Sequence, residues 1–214
     1  MLVVRSVPLT PFQSNCHLVG DPASREAVLV DPGEYAPQVA AMVREGGFRV
    51  TRVILTHGHV DHVSGGAAAA KALGAPLWLH AGDLPQLQRL PQQAAMFGFG
   101  DGAPPKIDHQ PADGERFTLG AEEARVIHTP GHSPGGLCLW FPASKILLTG
   151  DTLFEGSVGR TDLPGGDWAA LARSIREKLF PLGDDVRFYP GHGPSALLGE
   201  ERRTNPFVGE RAGR

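Results

Sequence analysis

Between Thr56 and His62 the chain reads Thr-His-Gly-His-Val-Asp-His, three imidazoles and a carboxylate within seven residues. The run directly follows Val53-Ile54-Leu55, an apolar stretch that reads as a buried strand. His57 and His59 lie two apart, so on an extended chain their rings point the same way. Asp61 and His62 fall where the chain must turn, because Ser64-Gly65-Gly66 and an alanine run open a helix. Four such groups are not a core pattern, since burying them without a cation is very costly. Imidazole and carboxylate suit zinc, iron or manganese better than magnesium or calcium. The chemistry this points to is activation of a water for attack on a carbonyl.

Three further segments end an apolar strand in a Gly-sharpened turn that carries a ligand-type side chain. They are Arg125-Val126-Ile127-His128-Thr129-Pro130-Gly131-His132, Ile146-Leu147-Leu148-Thr149-Gly150-Asp151 and Val186-Arg187-Phe188-Tyr189-Pro190-Gly191-His192. Together the segments offer His57, His59, Asp61, His62, His132, Asp151 and His192. That set exceeds what one tetrahedral ion needs, which argues for two metals sharing a bridging carboxylate.

The elements that must position these groups follow a two-part rhythm. Residues near 2–7, 14–19 and 26–31 read as three strands in an antiparallel start, followed by a helix at about 37–45 ended by Gly46-Gly47. The run Ala67 to Leu73 has strong helix propensity and stops at Gly74, and 76–80 reads as a short strand. Strands dominate again from 114 to 149. A helix over 168–180 is capped by Asp167, with Trp168, Leu171, Ala172, Ile175 and Leu179 as its apolar face. This order suits an α/β fold of two sheets packed face to face with helices outside, a four-layer αβ/βα sandwich. The segment 81–106, with Pro85, Pro91, Pro104 and Pro105, is the least periodic and reads as an irregular lid or wall. Its Met96, Phe97 and Phe99 are candidates to line a cleft, with plain surface packing the other reading.

The order HxHxDH, Gly-His, Gly-Asp, Gly-His resembles the metallo-β-lactamase superfamily and spans nearly the whole chain. Gly150-Asp151-Thr152-Leu153-Phe154, Gly159-Arg160, the turn Tyr189 to Pro194 and Asn205-Pro206-Phe207 resemble its glyoxalase II-like (hydroxyacylglutathione hydrolase-like) members. The short bacterial type, without a long C-terminal helical domain, is the nearest match. The resemblance implies the same sandwich and a binuclear hydrolase of small acyl thioesters. It implies two divalent transition-metal ions, zinc first, with iron or manganese as alternatives. His57, His59 and His132 would hold one metal and Asp61, His62 and His192 the other. Asp151 would bridge them, and Asp61 and Asp151 would fix the attacking hydroxide. Asp31, in Val30-Asp31-Pro32-Gly33, matches an Asp that supports the metal loop in the family; as Asp-Pro-Gly it reads equally as a turn. Arg160 matches a basic residue that anchors an anionic substrate group, against the plain alternative of a solvated loop arginine. Two residues later the family's tyrosine is replaced by Asp162, an anion expected to repel the carboxylates of glutathione. The expectation is therefore a high KM for lactoylglutathione and tolerance of other thiol carriers.

A mononuclear iron persulfide dioxygenase shares the fold and the histidine run and remains the main alternative. Asp151 disfavours a true β-lactamase, and no G-x-S-x-G elbow supports a serine nucleophile. A net charge of −3 shows no basic footprint for nucleic acid, which also disfavours a nuclease of the superfamily. A non-enzymatic scaffold would have lost ligands. The ligands run from 57 to 192, so one domain over 1–214 is expected, with 41% apolar residues to build its core. Its 28 Gly and 19 Pro fall at strand ends rather than in low-complexity blocks. Cys16 and Cys138 read as buried free thiols, with a place for Cys16 beside the cleft as the minor reading, and His17, His80, His109 and His128 as ordinary histidines. With no apolar leader or membrane span in view, the expectation is a cytoplasmic enzyme of a small-molecule substrate, its oligomeric state open.

Overall fold

The structure, a computed structural model, describes residues 1–99 and 102–212. Gly100 and Asp101, inside the segment 81–106, lie outside the described residues, as do the last two residues of the chain.

The chain builds two halves. The first runs β1 (Val3–Leu9), β2 (Ser14–Gly20), β3 (Glu26–Val30), α1 (Pro37–Gly46), β4 (Arg49–Ile54), α2 (Val60–Val63), α3 (Gly66–Leu73) and β5 (Leu77–Trp78). Two short helices follow, α4 (Leu84–Leu87) and α5 (Leu90–Phe97). The second half contains β6 (Arg116–Leu119), β7 (Glu122–His128), β8 (Leu137–Phe141), β9 (Ile146–Gly150) and a small hairpin of β10 (Leu153–Phe154) and β11 (Ser157–Val158). It closes with α6 (Trp168–Arg173), β12 (Arg187–Pro190), β13 (Ala196–Leu197) and α7 (Leu198–Thr204). One sheet has the order β1-β2-β3-β4-β5 and the other β13-β12-β9-β8-β7-β6. The first three strands pair antiparallel, as their short turns require, while β4 joins β3 in parallel after α1.

Alternation along the strands explains the layering. On β3, Val28 and Val30 enter a core that they share with Leu137, Leu139 and Phe141 of β8 and with Leu148 of β9. Their neighbours Ala27 and Leu29 face the other way, onto Val39, Met42 and Val43 of α1. In the second sheet Cys138 and Leu147 face outward onto Leu171, Ile175 and Leu179 of the helix that begins at Trp168. Strands apolar on both faces must be covered on both, which gives helix, sheet, sheet, helix. The αβ/βα sandwich is thus the observed fold.

Three local expectations are corrected. The segment 81–106 is largely helical through 97 rather than irregular, because Pro85 and Pro91 stand in the first turns of α4 and α5, where a proline costs no hydrogen bond. Asp167 does cap α6, accepting from the amide of Ala170, but Trp168 in the first turn is 45% exposed and leaves the apolar face. The strand expected over 76–80 shortens to Leu77–Trp78 because His80 caps a tight turn, its ring accepting from the amide of Gly82.

Candidate metal centre

The four ligand-bearing segments meet at one edge of the sandwich. Beyond β4, Thr56 is held by Asp31, whose carboxylate accepts from the Thr56 amide at 2.7 Å and its hydroxyl at 2.6 Å. Asp31 itself has a φ of 50° and its carbonyl accepts from the Gly33 amide at 2.8 Å, so it turns the chain while bonding the Thr56–His62 loop. At Gly191, which begins the tip carrying His192, a Cβ would stand 2.2 Å from Asp151 Oδ1, so only glycine permits this approach.

The orientation of four of the five rings follows from the partner of the outer nitrogen. His132 Nδ1 donates to the Arg160 carbonyl at 2.8 Å, His62 Nδ1 to Asp31 at 2.9 Å and His192 Nδ1 to the Phe12 carbonyl at 3.1 Å. His57 Nδ1 lies 3.1 Å from the Thr56 hydroxyl, which already donates to Asp31 and so receives from the ring. With the outer nitrogens engaged, the inner ones turn lone pairs toward a common point. His132 Nε2 stands 3.3 Å from His57 Nε2 and 2.9 Å from His59 Nδ1. On the other side, His62 Nε2 lies 3.3 Å from His192 Nε2 and 3.3 Å from Asp61 Oδ2. Asp151 spans the two groups, with Oδ1 3.5 Å from His62 Nε2 and Oδ2 3.6 Å from both His132 and His192 Nε2. All seven expected ligands therefore come together.

These residues fit a pair of cations. Facing lone pairs at such distances repel unless a positive charge lies between them, and Asp151 Oδ1 is buried with no hydrogen-bond partner. The groups His57-His59-His132 and Asp61-His62-His192 each bring three ligand atoms within 4.8 Å of one another. The third such group, Asp31-His57-His62, is accounted for by Asp31's bonds to Thr56 and His62.

Charge divides the two groups. Burial pushes His59 and His132 down to about 4 and His57 well below its ordinary value, leaving neutral imidazoles. Burial also opposes charge on His62, but Asp61, Asp151 and Asp31 outweigh it and hold that ring well above its ordinary value. Burial disfavours the Asp61 carboxylate too, yet His62 and His192 keep it far below the usual range.

Reasoning from sequence overlooked Asp83, which is fully buried. Its carboxylate accepts from Gly58 N at 2.7 Å, Ser133 Oγ at 2.7 Å and Gly135 N at 2.5 Å, tying the His57–His59 loop to the His132 loop. A single Asp in a proline-rich stretch carries no spacing signal. The start of β2 is a second omission. Ser14 Oγ donates to the Asp61 carbonyl at 2.8 Å, and Asn15 Nδ2 to the carbonyls of Pro190 and Gly193 at 3.0 and 2.8 Å.

Arg160 reaches the cleft, but its guanidinium is closed in a two-pronged pair with Asp162, both contacts at 2.7 Å. Cys16 lies in the core under the first sheet, away from the cleft, and Cys138 in the core under the second. His17, His80, His109 and His128 stand apart from the ligand groups, each with a hydrogen-bond partner of its own. Met96 and Phe97 line the cleft, whereas Phe99 stacks behind Phe12 at 5.6 Å. Among the described residues no helix is long and apolar enough to cross a membrane.

The sequence model of the metallo-beta-lactamase superfamily matches residues 9–192. The chain is 36% identical to hydroxyacylglutathione hydrolase GloC of Haemophilus influenzae, over 98% of this chain and 99% of that one. Among solved structures it resembles BLEG-1 B3 metallo-beta-lactamase, with a TM-score of 0.88 at 32% identity over 96% of this chain and 99% of the other. It also resembles TTHA1623 in a di-iron-bound form, with a TM-score of 0.84 at 38% identity over 95% and 99%.

Proposed function

We propose that this chain, which belongs to the metallo-beta-lactamase superfamily, is a binuclear hydrolase of small acyl thioesters, similar in activity to hydroxyacylglutathione hydrolase. His57, His59 and His132 would hold one ion, Asp61, His62 and His192 the other, with Asp151 between them. The ions are divalent transition metals, zinc first and iron or manganese as alternatives. When bound, such a pair supplies an acidified water and an electrophile for the acyl oxygen.

One observation carries the choice of a thioester. Apart from the proposed ligands, the cleft lining among the described residues includes two arginines, Arg89 and Arg160, and no histidine, carboxylic acid, cysteine, lysine or tyrosine to serve as a general acid. An amine leaving group needs a proton from a general acid, whereas a thiol of ordinary pKa about 8.5 departs as the thiolate. Asp61 lines the cleft as an ionised carboxylate and, with Asp151, would fix the attacking hydroxide. Asp31 and the Phe12 carbonyl keep His62 and His192 turned inward, and the Arg160 carbonyl does the same for His132. Similarity to GloC supports the activity, and similarity to the di-iron form of TTHA1623 supports two ions.

The test is thiol release from S-D-lactoylglutathione by metal-loaded protein under anaerobic conditions, with metal content measured on the same sample. Turnover without oxygen, lost on chelation, is expected. Turnover that appears only with oxygen and glutathione persulfide would replace this reading with the dioxygenase.

A further inference from the structure

The cleft over the ligands, of ≈ 490 Å³, has an apolar wall that the hydrolytic chemistry does not use. Phe12, Met96 and Phe97 line it while 43%, 76% and 45% exposed, three of the seven exposed large hydrophobic side chains among the described residues. Single exposed apolar residues are ordinary, but a cluster at the mouth of a site marks a binding surface. Phe12 meets Phe97 edge-on at 5.2 Å, and its carbonyl holds His192, so the wall is joined to the ligand cluster. Met96, unbranched and adaptable, suits an arm of variable shape.

The two cations of this cleft differ in availability. Arg160 spends its planar fork on Asp162 through two charge-assisted bonds, so a ligand carboxylate would have to displace an equivalent partner. Arg89, just before α5, is exposed and has no ion pair among the described residues. We infer that Arg89, rather than Arg160, receives the anionic end of the substrate, and that Phe12, Met96 and Phe97 cover an apolar arm between that anion and the scissile carbonyl. The preferred substrate class is then an amphipathic thioester with a terminal carboxylate. The inference rests on the thioester reading and narrows it.

The experiment pairs hydrolysis with binding. Lactoyl thioesters of 3-mercaptopropionate, 6-mercaptohexanoate and hexane-1-thiol are assayed, and binding of the non-hydrolysable thioether 6-(2-oxopropylthio)hexanoate and its methyl ester is measured by calorimetry on metal-loaded protein. In the wild type the acid binds more tightly than the ester. Arg89→Ala weakens the acid about fivefold, as expected for an exposed charge pair, and changes the ester much less. Arg89→Lys restores part of the loss, because the charge returns without the fork. Each added methylene of the arm lowers KM about two- to fourfold, and Met96→Ser with Phe97→Ser removes that gain. Equal binding of acid and ester, or a carboxylate preference that vanishes in Arg160→Ala and survives in Arg89→Ala, would overturn the inference. Hydrolysis of every thioester without carboxylate preference defeats the Arg89 assignment and leaves the thioester reading standing. Arg89-dependent binding with no thioester hydrolysed keeps the anion site and defeats that reading.

Discussion

The two halves of the ligand cluster are built on opposite electrostatic plans. His57, His59 and His132 form an all-nitrogen group whose loops are clasped by Asp83 and the Arg160 carbonyl. Asp61, His62 and His192 mix one carboxylate with two imidazoles, held by Asp31, the start of β2 and the Phe12 carbonyl. The first half keeps its rings neutral by burial, while carboxylates favour the protonated form of the rings of the second, with protons that a bound metal would displace. Exposure differs as well, with the His192 side chain 29% exposed against 6% for His132. A dry, neutral cage beside a wetter, charged one implies two sites of unequal retention.

The largest effect is expected where the halves join. Asp151→Ala removes the one carboxylate that faces both groups, so metal content should fall at both sites and thiol release by about three orders of magnitude. Elemental analysis with turnover checks this; two ions retained at full activity would break the picture of a shared bridge.

Asp31→Ala separates the halves. It deletes the acceptor of three buried hydrogen bonds, and His62 loses its orienting partner. The second site should empty first, with activity reduced about 10- to 100-fold and stability by roughly 3 kcal/mol. Asp83→Asn is the counterpart on the other side, where an amide NH₂ replaces an oxygen that accepts from Gly58 N or Gly135 N. A smaller loss of about 1–2 kcal/mol is expected, with the first site weakened before the second. Urea unfolding and metal titration of both variants would show whether the losses fall on opposite halves; the same site emptied by both would erase the comparison.

The mildest effect lies in the pH dependence of the metal-free protein. His59 and His132 are lowered from an ordinary 6.5 to about 4, so the unfolded chain binds more protons between those values. Their contribution is complete above pH 6.5 and is lost as pH falls toward about 4. His62 and His192 are raised, so their contribution is present below 6.5 and lost as pH rises through the folded values. Stability in chelator should therefore decline on both sides of about pH 6.5. Replacing His59 with Gln should flatten the acid limb, and replacing His192 with Gln the alkaline one. Imidazole NMR titrations would locate the two classes directly.

Much of this arrangement is legible in the chain alone. The alternation of Val28 and Val30 with Ala27 and Leu29 states that a strand is buried on two faces, and hence that two layers must cover it. The spacing of His57 and His59 aims two rings to one side, and Gly before His132, Asp151 and His192 marks three tips that carry ligand groups. Those signals are local, carried by the period of a strand or the geometry of a turn. Pro85 and Pro91 misled because a proline breaks a helix interior yet suits its first turn, and only the observed start of the helix tells the two apart. Tertiary structure alone decided that Asp83 clasps two loops, that Arg160 turns onto Asp162, and that Phe12 holds His192 while facing Phe97. The Asp83 and Phe12 contacts join residues 25 to 180 positions apart, and the Arg160 pair depends on how a surface loop folds back on itself. Periodicity reports which way a side chain points from its own strand, whereas its partner is set by the packing of the two sheets against each other.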